Sequence, residues 1–476
     1  MLTEVMMSLF KGRSQIDKSE LLFSKRDLLK IIIPVFFQQI LNMTIGMINT
    51  MMVSNAGDAA VAGVSLVATL DNVLIVFFTA LVTGGAVIVA QRLGTSNTKD
   101  ISEAAKQLLY ATTIMATFVT TVVLTFREPL LGSLFGDAEA DVLMHANNYF
   151  FLVALSFPFL GISEAAGACF RSSGNSMIPL INSLIINGVV IGCNGIFVIW
   201  LEMGAQGAAL STLIARIVGA ALLLGLVLNK KYPVHIENLF RYKPSLKVIK
   251  GILQIGVPNG IENTLFQLGR LFTQALISTF ATAVIAANSM ALNLANFQYA
   301  VNTAFSVVII PVVGRCIGAK RIDQAKYYSF RLMMAEYVMM WLVIGVTLIF
   351  IRPIMSAYGV SADAVEMTIK LVLYHSIMAA AIYPLGFLLP STFRAASDVK
   401  FTLYVSMISM WCLRVALAYF LALESVTIFN TITIPGLGMG IIGVWVAMFL
   451  DWILRSTLYL IRYLRGRWLK SKLLEN

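Results

Sequence analysis

Apolar stretches of roughly twenty residues follow one another along nearly the whole chain, each long enough as a helix to cross about 30 Å of hydrocarbon. They lie near residues 28–53, 61–90, 104–126, 142–164, 174–201, 206–229, 248–278, 283–314, 328–350, 366–390, 400–422 and 440–464. Of the 476 residues 58% are hydrophobic and 12% charged, too little polar surface for a soluble fold of this length. The expectation is an all-α integral membrane protein of about twelve transmembrane helices. A closed β-barrel would instead need short alternating segments, which this sequence lacks.

The formal net charge of +11 could suggest a nucleic-acid partner, but the cations sit in alternate loops. Lys11, Arg13, Lys18, Lys25 and Arg26 precede the first span; Arg92, Lys99 and Lys106 fall in the second loop; Lys230, Lys231, Arg241, Lys243, Lys247 and Lys250 fall in the sixth; Lys320, Arg321 and Lys326 fall in the eighth. Asp58, Glu128, Asp137, Glu139, Asp141, Glu202, Asp363 and Glu366 occupy the loops between. This positive-inside pattern places both termini in the cytoplasm of a multi-pass protein of the plasma (inner) membrane, and it leaves no soluble basic domain to hold a nucleic acid. Cys169, Cys193, Cys316 and Cys412 have no ligand spacing and are expected to be small packed residues. No small-residue cleavage motif follows the first apolar run, so that span is expected to stay as an anchor.

The sequence also repeats itself. Displaced by 224 positions, Pro34 meets Pro258, Leu41 meets Leu265, Ser65 meets Ser289, Asn72 meets Asn296, Gly94 meets Gly318 and Pro129 meets Pro353. At a slightly different offset, the FR pair at 170–171 meets FR at 393–394. A duplicated six-span unit fits. Because six is even, both copies enter the bilayer in the same direction, and the two lobes are expected to be related by a pseudo-twofold axis along the membrane normal. The boundaries expected are an amino-terminal lobe at 1–229, a basic cytoplasmic linker at 230–247 and a carboxyl-terminal lobe at 248–476. Bundles of this kind are typical of transporters, which move one half against the other around a central site.

Ionisable residues inside spans are candidates for function, since each is costly in hydrocarbon unless paired or hydrated. Here they are Asp71, Glu164, Arg216, Glu262, Arg270, Arg414, Asp451 and Arg455, with His375 as the one imidazole. On the seventh span Asn263, Gln267, Arg270 and Gln274 share a helical face with Glu262 at its edge. Glu262 and Arg270 are about 12 Å apart along the axis, too far for a direct ion pair. The first span carries the matching stripe Gln38, Gln39, Asn42 and Asn49, and Gln38 stands at the repeat position of Glu262. Amides can bind a substrate but cannot carry a proton, so the carboxyl-terminal half is the better candidate for coupling. Asn288, Asn293 and Asn296 would extend the polar wall or join helices to each other. Asp451 and Arg455 are spaced for an intrahelical pair that Arg414 could share, and Asp71 with Arg216 could correspond to it in the first half. His375 is expected to be a packed residue.

Together these residues resemble a family. The stretches IPVFFQQILNMTIGMINTMMVSNAG and GVPNGIENTLFQLGRLFTQALISTF, the turns FRSSGN and FRAASD, and the loop openings QRLG and RCIG are similar to those of multidrug and toxic compound extrusion (MATE) transporters. The resemblance runs from about residue 28 to residue 464. It implies two six-helix lobes around a V-shaped cavity, and export of organic cations and other amphipathic drugs in exchange for H⁺ or Na⁺. Family members often carry an aspartate near the end of the first span, a glutamate eight residues after the seventh-span proline and an aspartate in the tenth span. Here those positions hold Asn49, Phe266 and Tyr383.

The functional expectation is therefore a cation-coupled antiporter working by alternating access, with Glu262, Asp451 and Asp71 as coupling candidates. Gln38, Asn42, Asn49, Asn263, Gln267, Arg270, Asn293, Asn296 and Tyr383 are the candidates for binding substrate. No cofactor is expected beyond the coupling ion, and the expected partners are organic cations or amphipathic drugs and membrane lipid, around a monomer. A flippase for lipid-linked saccharides is the alternative transporter and would need a strongly cationic cavity. An enzyme would need motifs such as HExxH or Gly-x-Ser-x-Gly, which are absent from the sequence.

Overall fold

A computed structural model of the protein describes residues 20–53, 57–95, 97–136, 138–241, 243–357, 362–428 and 432–469. Each expected span is met by a helical segment. In the first half these are α1 (Lys25–Val53), α2 (Asp58–Thr95), α3 (Thr98–Phe135), α4 (Ala140–Leu155), α5 (Phe157–Ser172), α6 (Met177–Asn194) and α7 (Gly204–Val227). The second half has α8 (Leu246–Ile277), α9 (Thr282–Gly318), α10 (Ile322–Ala357), α11 (Ala362–Phe387), α12 (Leu389–Ala395), α13 (Val399–Ile408), α14 (Leu417–Ala422) and α15 (Gly440–Leu464). Among the described residues, nine helices are long and apolar enough to cross a bilayer. The pair α4 and α5, bent by 44°, makes a tenth when taken as one span. This is a multi-pass membrane protein.

Local chemistry explains several boundaries. Asp27 Oδ2 accepts from Ser24 N at 3.0 Å and Ser24 Oγ at 2.7 Å, while Asp27 N donates to Ser24 Oγ at 3.2 Å. This reciprocal cap starts α1, and the bonds from Ser24 hold the Asp27 carboxyl below its usual range. Pro158 at the start of α5 and Pro390 at the start of α12 stand where a missing N–H costs little. Two π-helical segments, Gly195–Trp200 and Ser409–Ala416, widen their helices. The helical architecture has one small addition, a hairpin pairing Ser425–Ile428 with Ile432–Pro435.

The repeat is written in backbone geometry. Gly174 and Ser397, which correspond between the FR turns, both take positive φ, +86° and +62°. Asn175 N donates to Phe170 O, and Asp398 N to Phe393 O, at 3.0 and 2.8 Å. The same helix-ending turn thus forms in both halves, with glycine in one and a non-glycine residue, at some strain, in the other.

The chain divides into two compact units, Leu22–Gly260 with Gly314–Arg321, and Ile261–Val313 with Ile322 onward. The division therefore falls inside α8 and α9, near Pro258 and Pro311. In the first unit a core of Leu81, Val89, Leu108, Phe170 and Leu223 adjoins an aromatic group of Phe78, Phe150 and Phe157. The 230–247 segment is strapped to α3: Lys106 Nζ donates to Asn238 O, Tyr110 Oη to Leu239 O and Gln107 Nε2 to Lys243 O, at 3.2, 2.6 and 2.6 Å. The second unit is packed around buried Trp452, Tyr459, Trp468 and Phe393.

Gly94 and Gly318, mates in the repeat, bring their backbones together within the first unit. A Cβ on Gly318 would stand 1.8 Å from the carbonyl oxygen of Gln91, and one on Gly94 would stand 2.4 Å from that of Arg315. Backbone cannot yield as a flexible side chain does, so Gly318→Val is expected to destabilise by on the order of 1–3 kcal/mol, read as a lower melting temperature of the detergent-solubilised protein. Gly225, with nothing within 4 Å of its added Cβ, is the control: Gly225→Ala is expected to melt like the wild type.

Candidate functional site

Each unit holds its polar side chains in a different way. The first unit contains a cavity of about 160 Å³ walled by α1, α5, α6 and α7. Gln38 Nε2 donates to Ser183 Oγ at 2.9 Å across it. Arg171 Nη2 meets Glu164 Oε2 at 3.4 Å. Arg216, also on the wall, donates to Ser156 Oγ at 2.7 Å and to Asp71 Oδ2 at 3.1 Å. Buried Asn182 donates to Ser163 Oγ at 3.4 Å, and its Oδ1 has no partner. Asn42 is exposed and completes the lining. Asn49 lies in α1, and its side chain falls outside the described residues. The cavity thus combines amides and hydroxyls with two internally neutralised ion pairs, which suits a ligand that is apolar in bulk and needs few hydrogen bonds.

The second unit holds a dense ionic cluster instead. Glu262 Oε1 lies 3.1 Å from Arg394 Nη2 and accepts from Ser406 Oγ at 2.7 Å. Asp451 Oδ1 accepts from Arg455 Nε at 2.9 Å, and its Oδ2 lies 3.7 Å from Arg414 Nη1. Arg455 also donates to Ser409 Oγ at 2.9 Å. The π-helical segment carries both Ser409 and Arg414 to this pair. Phe266 lies beneath two guanidinium groups, 5.1 Å from Arg455 and 5.6 Å from Arg414, so an aromatic face meets the cations here.

The two halves make corresponding contacts with different chemistry. Gln38 bonds to Ser183 and Glu262 bonds to Ser406, and these residues match between the repeats. So do Arg171 and Arg394 of the FR turns. In the first half Gln38 is neutral, and Arg171 turns to Glu164. In the second half the arginine meets the acid on the first helix of the repeat. Glu262 and Asp451 are thus both ion-paired, and Glu262 Oε2 is buried without a partner.

Other expected binding residues are spread out. Arg270 is exposed and has no ion pair among the described residues. Asn293 and Asn296 are also exposed, while Asn263 and Gln267 are half-buried. Asn288 is buried and accepts from Trp445 Nε1 at 3.0 Å, joining α9 to α15. Tyr383 is buried, stacked 4.1 Å from Phe387 and 5.2 Å from Tyr299. His375 is packed against Trp445 and Trp452, with Nε2 2.9 Å from Tyr299 Oη.

Sequence reasoning passed over Arg394, whose turn motif hides it at the end of α12, and Glu336, a lone acid in the apolar run RLMMAEYVMMWLVIGV. Glu336 is fully buried on α10. Its Oε1 accepts from Asn302 Nδ2 at 2.7 Å and its Oε2 has no partner. Scanning every span for isolated acids would have found it.

Removing one member of a buried ion pair leaves the other uncompensated. Glu262→Gln is therefore expected to lower stability by on the order of 3 kcal/mol, measured as the melting temperature of the detergent-solubilised protein. An unchanged melting temperature would show that the Glu262–Arg394 pair carries no stability.

Comparison with known proteins agrees with this geometry. A MatE family profile matches residues 34–196 and 258–420, two segments displaced by the same 224 residues as the repeat. The chain is 25% identical over 455 residues to the uncharacterized transporter YisQ of Bacillus subtilis, covering 92% of this chain and 94% of that one. It is 24% identical over 482 residues to a probable multidrug resistance protein NorM of Thermotoga maritima, covering 98% and 97%. Its fold superposes with a TM-score of 0.83 on an outward-facing multidrug resistance MATE transporter, at 16% identity and covering 94% and 96% of the two chains. A MOP superfamily transporter from Pyrococcus furiosus, described as having a binding pocket of reversed polarity, gives 0.81 at 16% identity, covering 95% and 97%. The profile matches most of the chain, once in each half, and the folds of solved MATE transporters carry the same two lobes: the chain belongs to the MatE family of multidrug and toxic compound extrusion transporters.

Proposed function

We propose that this protein is a cation-coupled antiporter that exports organic cations and amphipathic drugs by alternating access, using H⁺ or Na⁺ as the driving ion. It resides in the plasma membrane as a monomer, with both termini in the cytoplasm, as the alternation of basic loops supports. The observation that carries this reading is the polar cavity of the first unit, lined by Gln38, Asn42, Asn182 and Arg216. Hydrogen-bonding groups at membrane depth are maintained where they meet a solute. The relatives named as probable multidrug resistance proteins support the substrate class.

A flippase for pyrophosphate-linked saccharides would need cations free to receive a dianion. Arg171, Arg216, Arg394, Arg414 and Arg455 are each met by a carboxylate, and Arg270, without an ion pair among the described residues, is a single cation, which favours the drug exporter. The lobe division expected from the repeat, 1–229 and 248–476, remains our proposal for the moving parts.

The test is ethidium transport in proteoliposomes with pH and Na⁺ gradients imposed separately. One of the two gradients is expected to drive accumulation, and failure of both would overturn the antiport reading. Asn182→Leu, which removes an amide from the cavity wall, is expected to lower ethidium affinity roughly 5- to 100-fold at unchanged expression. An unchanged affinity would move the substrate site elsewhere.

A further inference from the structure

Of the buried carboxylates among the described residues, Glu336 is the one whose surroundings leave its charge unanswered. Glu262, Asp451 and Asp71 each meet a guanidinium within 3.1 Å. Glu336 on α10 is 0% exposed, and its recorded contact is the Asn302 amide of α9 at 2.7 Å, with Oε2 left without a partner. Asn302 is itself buried, with Ser306 Oγ 3.5 Å from its Oδ1. No lysine or arginine lies within ion-pair distance of Glu336 among the described residues.

The groups that face it are mostly neutral. Tyr337, beside it on α10, directs its hydroxyl to Ala381 O on α11 at 3.0 Å. On α11, Tyr383 lies within electrostatic reach of Glu336 and stacks on Tyr299 of α9, which is bonded to His375. The charged groups nearby are Arg270 and Arg414, which act electrostatically on Tyr299 and Tyr383. An ionised Glu336 would thus be an uncompensated charge in hydrocarbon-like surroundings, costing several kcal/mol, whereas the protonated acid carries none. A permanently neutral position needs no acid, because glutamine would fill the same space.

We propose that Glu336 is a proton-exchange site of the second unit, protonated in the conformation described here and deprotonated when another state of the transport cycle admits water to α9 and α10. Asn302 is the positioning residue that registers the charge. The step is a proton transfer alone: the O–H bond of Glu336 breaks to water and re-forms from water on the opposite side of the cycle. This inference rests on the antiport reading and names its ion as H⁺.

The experiment uses the full-length protein in proteoliposomes with ethidium as probe. Wild type is expected to accumulate ethidium against an imposed pH gradient. E336Q is expected to lose that response by about tenfold or more while gradient-free ethidium exchange stays within about twofold. E336D, which keeps an acid, is expected to retain coupling with a displaced pH midpoint. Wild type driven by Na⁺ alone, or E336Q with full pH-driven accumulation, would overturn this site and leave the antiport reading standing. Wild type driven by neither gradient overturns both. Where E336Q does not give monodisperse protein, N302L decides: a pH midpoint displaced by about one unit supports the site, and an unmoved midpoint overturns it.

Discussion

A charge inside a membrane bundle must meet an opposite charge or be given up, and much of this structure answers that requirement. Asp451 draws Arg455 from its own helix and Arg414 from a π-helical segment, joining α15 to the stretch after α13. Glu262 draws Arg394 and Ser406, joining α8 to α12 and α13. The second unit is organised around these pairs, with aromatic rings closing over them: Phe266 and Phe387 lie against Arg455. The first unit meets the same requirement with fewer charges, and space remains for a cavity.

Much of this was legible in the residues. Apolar run lengths gave the helices, because hydrocarbon sets the length of a helix that crosses it. The displacement of 224 residues is the one at which the family profile matches twice. The spacing of Asp451 and Arg455, and the correspondence of Asp71 with Arg216 in the first half, anticipated two ion pairs that the structure contains. Less was legible where contacts join distant parts of the chain. Glu262 and Arg394 are far apart in sequence, and nothing local says that they meet. The two kinds of break, a bend at Ser156 and a π-helical widening at Ser409–Ala416, also lie below the resolution of hydropathy, since both preserve the apolar pattern.

The comparison between halves separates what duplication preserved from what it released. The FR turns keep the same backbone course and hydrogen bonds, and Gly94 and Gly318 remain glycines because each faces backbone. The side chains between are free to differ: Gln38 and Glu262 hold equivalent serines with different charge. Geometry that many neighbours enforce is retained, while a charge can change when one nearby arginine is available to answer it.

The prolines near the unit boundaries have a mechanical meaning. The chain passes from one unit to the other inside α8 and α9, just after Pro258 and Pro311. A proline removes the N–H that would bind the carbonyl four residues back, here those of Gln254 and Val307. Each rod is therefore most compliant close to where it changes units, and the 230–247 segment, tied down by Lys106, Gln107 and Tyr110, supplies no slack. Bending compliance is thus concentrated at two helical positions and not in a connecting segment.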